Sequence, residues 1–92
     1  MAKMVTFTVE LLDEDDNTVT REITAKSLAK IPYEVSEIAT EDKGRGVVMS
    51  LRWGLKDEDL QWFRKLPGDE LEKLMEAWEK ASQVKLGESP AS

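Results

Sequence analysis

From residue 4 to residue 12 the chain alternates between apolar and polar positions. Val5, Phe7, Val9 and Leu11 fall on one side, and Thr6, Thr8 and Glu10 on the other. A period of two carried by β-branched and aromatic residues predicts a strand with one buried face. Asp13-Glu14-Asp15-Asp16-Asn17 then interrupts the pattern with residues that turns favour. The alternation resumes over residues 18–25 through Val19, Ile23 and Ala25. Pairing Leu11 with Val19 sets Phe7 opposite Ile23 and Val5 opposite Ala25, a register that gathers the apolar residues on one face. A β-hairpin over 4–25 is expected. Two strands alone are not stable in water, so the rest of the chain must cover that face.

The spacing after the hairpin is helical. Ser27 to Ile31 predicts a short helical turn, stopped by Pro32, which disfavours helix at the residue before it. Tyr33 to Thr40 fits a helix with Val35 and Ile38 inward, and the polar, glycine-bearing run from Glu41 to Gly46 reads as a loop. A helix over about 47–55 carries Val47, Val48, Leu51 and Leu55. Another, over about 57–66, carries Leu60, Trp62, Phe63 and Leu66. Its start is acidic (Asp57, Glu58, Asp59) and its end basic (Arg64, Lys65), which suits the helix dipole. Pro67-Gly68 breaks the chain, and Asp69 with Glu72 has the spacing of an N-cap and its N3 partner. The last helix, over 69–82, has Leu71, Leu74, Met75, Trp78 and Ala81 on one face, with Asp69–Lys73 and Glu76–Lys80 as i, i+4 pairs outside. Residues 87–92 have no apolar anchor and read as a flexible tail. The expected fold class is α+β: one domain over 1–86, an N-terminal two-stranded antiparallel hairpin packed on about three C-terminal helices.

Composition narrows the function. The chain has 92 residues, 40% of them hydrophobic, and a net charge of −6. The negative sign argues against nucleic acid as a partner, because phosphate binding needs a concentrated basic face. The excess is spread, with −4 in residues 1–46 and −2 in residues 47–92. No apolar run exceeds three residues, so no membrane segment is expected, and Met1-Ala2-Lys3 does not open a signal peptide. The absence of cysteine excludes a disulfide framework, and a cytoplasmic protein is the simpler reading.

Candidate chemistry is sparse. There is no histidine and no cysteine, which removes the commonest general base, metal ligand and thiol nucleophile. Neither catalysis nor a cofactor nor a metal is expected. The acidic run Asp13 to Asp16 lacks the glycine and glutamate positions of a calcium loop and reads as a solvated turn. Gly44-Arg45-Gly46 lacks the strand and the Lys-Ser/Thr pair of a phosphate loop. The tryptophans carry more weight. Trp78 lies among Leu71, Leu74 and Met75 and reads as core, whereas Trp62 adjoins Phe63 and the two cannot share a direction. Trp53 or Trp62 is therefore a candidate partner contact, with core packing the alternative, since tryptophan concentrates binding energy. Leu51, Trp53, Leu55, Trp62 and Met75 could together line an apolar groove for a helix.

Several segments occur in a recurring order. Thr6-Phe7-Thr8-Val9 and Thr18-Val19-Thr20 come first, then Ser27-Leu28-Ala29-Lys30-Ile31-Pro32. An acidic helix leads into Arg64-Lys65-Leu66-Pro67-Gly68-Asp69-Glu70-Leu71, and Leu74-Met75-Glu76-Ala77-Trp78 is followed by Val84-Lys85-Leu86-Gly87-Glu88-Ser89. In this the chain resembles the tail assembly chaperones of long-tailed bacteriophages, with Tyr33 to Gly46 contributing little and departing from the family's basic segment. The resemblance implies a non-catalytic protein of the host cell cytoplasm. Its partners would be the tape-measure protein and the tail-tube protein, and self-association into a homo-oligomer stays open. It also implies a longer frameshifted product, with a slippery run in the coding DNA near residues 84–92. Two other classes compete: a structural virion component (head–tail connector or tail terminator), and an acidic regulatory module that blocks a basic partner.

Overall fold

The structure is a computed structural model and describes residues 3–84. Two strands, β1 (Met4–Leu12) and β2 (Thr18–Lys26), form an antiparallel hairpin. Leu11 pairs with Val19, Phe7 with Ile23 and Val5 with Ala25, so the apolar row is continuous, as the alternation requires. The acidic turn is held by its first residue. The Asp13 carboxylate accepts from the amides of Asp15 and Asn17, both at 2.9 Å, and Asp16 takes a left-handed φ of 62°. Asp13 is thus spent on closing the hairpin.

Ser27 caps a short 3-10 turn, Leu28–Lys30, by accepting from the Ala29 amide, and the chain then passes through Pro32 into four helices. These are α1 (Tyr33–Glu41), α2 (Lys43–Gly54), α3 (Asp57–Arg64) and α4 (Leu71–Ser82). In α1 Val35 is buried as expected, Ile38 only in part, and Ala39 completes the inward side.

Three details of the sequence reading need correction. Residues 43–46 are not a loop; they form the first turn of α2, capped by Asp42, whose Oδ1 accepts from the Arg45 amide at 3.2 Å. Gly46 lies buried against α1, where an added Cβ would overlap the Ala39 backbone and Cβ, so its role is close helix contact. The Asp69–Glu72 capping pair does not form. A 3-10 turn, Gly68–Glu70, precedes α4, and α4 begins without a side-chain cap. Finally, the surface ion pairs differ from those expected. Lys73 reaches Glu70 at 2.9 Å rather than Asp69, and Glu76–Lys80 is not an ion pair among the described residues. The reason is shared: Pro67 directs the chain into a tight turn that draws Glu70 inward to 5% exposure. The expected tail, 87–92, lies outside the described residues.

The core joins the hairpin to the helices. Val9, Leu11, Ile23 and Ala25 pack with Leu28, Val47, Leu51, Leu55, Phe63, Leu74, Met75 and Trp78. Helix α4 lies across β1 and carries the largest of these, Trp78, at 0% exposure. Its Nε1 donates to the Lys26 carbonyl at 2.9 Å, satisfying the one polar atom of an otherwise apolar ring. At the end of α2, Gly54 leaves room for that ring, which an added Cβ would overlap. The Ser82 hydroxyl accepts from the buried Leu28 amide at 3.0 Å, tying the end of α4 to the 3-10 turn. Gln83, at φ 60°, and the Val84 amide bonded to the Glu79 carbonyl then stop the helix. Among the described residues no helix is long and apolar enough to cross a membrane.

Candidate functional site

Of the five residues read as a groove, three are core. Leu51, Leu55 and Met75 are 7%, 8% and 6% exposed, so little of their surface is left for a partner. Trp53 and Trp62 are half-buried and packed against the core, and each has a cation from β2 over its ring. Lys26 Nζ lies 5.3 Å from the Trp53 ring centre, and Arg21 Cζ lies 5.1 Å from that of Trp62. A ring whose face is already covered by an intramolecular cation is a fixed part of the fold before it is an open anchor.

Arg21 does more than cover Trp62. It occupies the inward row of β2, opposite Val9, where the alternation calls for an apolar residue. Its Nε donates to Asp59 Oδ1 at 2.7 Å, and Asp59 is only 5% exposed. A carboxylate so far removed from water needs a bonded cation, and the pair pins the first turn of α3 to the sheet. The sequence did carry a signal here: one charge breaking the apolar row of a strand, and an acidic helix start able to receive it.

The open site lies elsewhere, between the first turn of α2 and one flank of α4. A cleft of about 870 Å³ runs there, with Val47, Leu71 and Met75 as its apolar floor. Asp69, Glu72, Glu76 and Glu79 stand along one wall, and Lys43 and Gly44 form the other. Of the five predicted residues only Met75 reaches it. The wall follows from helical geometry. At 100° per residue, Glu72, Glu76 and Glu79 fall on one flank of α4, with Leu74, Trp78 and Ser82 on the core side of them and Lys73 and Lys80 on the side away from the core. That acidic flank is readable from the sequence. The facing wall is not, because it requires residues 43–46 to be helical.

What the cleft can do follows from its groups. The floor offers apolar contact and the wall four carboxylates against one ammonium, a combination that favours an occupant both apolar and positively charged. Among the described residues no three acidic side chains converge as metal ligands. Compared with protein-family models, with curated proteins and with solved structures, the chain finds no match.

Proposed function

We propose that this protein is a non-catalytic binding module, and that it acts as a phage tail assembly chaperone. In this reading it holds the tape-measure protein in the host cytoplasm and helps to bring tail-tube subunits to it. The observation that best supports the binding role is the α2–α4 cleft, open to solvent, apolar at its floor and charged at its rim. Such a form suits a helix laid into a groove, and a tape-measure protein is a long helical chain that needs holding until the tube forms around it. The order of segments from the threonine-bearing hairpin to the Ala77-Trp78 step supports the narrower, chaperone reading. A net charge of −6 would keep the empty protein soluble.

The test is co-expression of the full chain with fragments of the tape-measure protein from its own genome. Fragments that become soluble and co-purify support the chaperone role. A protein that binds none of them, forms rings alone and persists in finished virions is a structural part of the particle.

A further inference from the structure

Glu72 and Glu76 stand one helical turn apart on the solvent side of α4, and both line the cleft. Like charges at i, i+4 repel and cost a helix stability, and neither glutamate forms an ion pair among the described residues. The two lysines nearest Glu76 on the helix, Lys73 at i−3 and Lys80 at i+4, do not neutralise it: Lys73 is engaged with Glu70, and Glu76–Lys80 is not an ion pair among the described residues. Glu79 and Asp69 extend the same wall toward either end. Opposite them the cleft has a single cation, Lys43. Along the floor Leu71 and Met75 repeat at the same one-turn interval as Glu72 and Glu76.

We infer that the α2–α4 cleft is the seat for a cationic amphipathic helix, which lays its apolar side chains mainly on half-buried Leu71, reaching only the cleft edges of the buried Val47 and Met75, and sets a flanking row of lysines or arginines against Glu72 and Glu76. The inference rests on the binding role proposed above and specifies the chemistry of the bound segment. Charge decides the sign of the occupant: a nucleic acid or an anionic lipid would meet a wall of its own charge. The walls decide its form. Neither wall is a β-strand, so neither offers a sheet edge to an extended peptide, whereas a helix brings its own hydrogen bonds. Volume agrees: a helix about 10 Å across rises 1.5 Å per residue, so 870 Å³ is roughly two turns of it.

A synthetic helical peptide of about 18 residues, with leucines in one row and lysines in the flanking rows, is a sufficient probe. Its binding to the full chain, followed by fluorescence anisotropy, should weaken at least about tenfold when salt rises from about 50 to about 300 mM. The double variant Glu72→Lys/Glu76→Lys, at two exposed positions, should lose at least about tenfold in affinity while keeping its circular dichroism. Lys43→Glu removes the one opposing cation and should tighten binding. A peptide with glutamate in place of lysine should not bind. Equal binding of the two peptides, or an unchanged affinity in the double variant, overturns the assignment. Tape-measure fragments held equally by wild type and double variant also overturn the cleft as the seat, yet leave the chaperone role standing. Failure of every tape-measure fragment, with the lysine peptide bound as described, removes the chaperone role and supports the cleft.

Discussion

Two acidic helix segments of this protein meet opposite fates. In the first turn of α3, Asp59 is buried and bonded to Arg21, which itself lies over Trp62. On α4, Glu72 and Glu76 line the cleft, and neither forms an ion pair among the described residues. The first carboxylate is consumed inside the chain, and its effect is to fix α3 on the sheet. The second pair forms no ion pair among the described residues, and in the proposal above it is matched from outside. A charge answered within the molecule is structural; a repeated like charge beside an apolar floor is a surface for something else.

The difference can be broken at several points. Both regions pack on the core that Trp78 fills, so the largest effect belongs to Trp78→Ala. Loss of that ring and its bond to the Lys26 carbonyl should cost about 3–5 kcal/mol in urea unfolding, enough to leave much of the chain unfolded at 37 °C. Arg21→Met comes next. It strands the Asp59 carboxylate, and with Arg21 itself one-third exposed the cost should be about 2 kcal/mol. Asp59→Leu added to that variant should recover much of the loss, and a double-mutant cycle without coupling would mean that the pair does not pin α3.

Smaller effects sharpen the comparison. Gly46→Ala gains helix propensity but drives a methyl into Ala39, and a net loss of about 1 kcal/mol is expected. A gain instead would show that α1 and α2 can part without cost. Smallest, and opposite in sign, is Glu72→Gln/Glu76→Gln. Removing the repulsion should leave stability unchanged or raise it by up to about 0.5 kcal/mol. A clear destabilisation there would place these glutamates with Asp59 as parts of the fold.

How far the residues foretell this molecule depends on the range of the interaction. The hairpin and its register were legible because alternation is local and a slip by one residue would expose Phe7 and Ile23. Trp78 was legible for the same reason, from its spacing to Leu74 and Met75. The start of α2 was not. Gly44 and Gly46 look like a loop until Ala39 is known to lie against Gly46, a contact made between helices. The capping pair at Asp69 failed because a turn after Pro67 shifted the helix start to Leu71. The half-buried setting of Trp62 fits its place beside Phe63, but the cations over Trp53 and Trp62 were not legible, since they arrive from β2, far away in sequence. Met75 alone of the expected groove residues reaches the cleft, whose second wall is the first turn of α2, where Gly44 and Gly46 carry no helical signal.

The bond from Trp78 to Lys26 joins residues 52 positions apart. During synthesis at roughly 5–20 residues per second, the hairpin therefore waits about 3–10 s before the side chain that covers it exists. Through that interval its inward row of Val9, Leu11 and Ile23 has no permanent lid, while the Asp13–Asn17 turn can already close. The cover of the hairpin is completed late, with the arrival of α4.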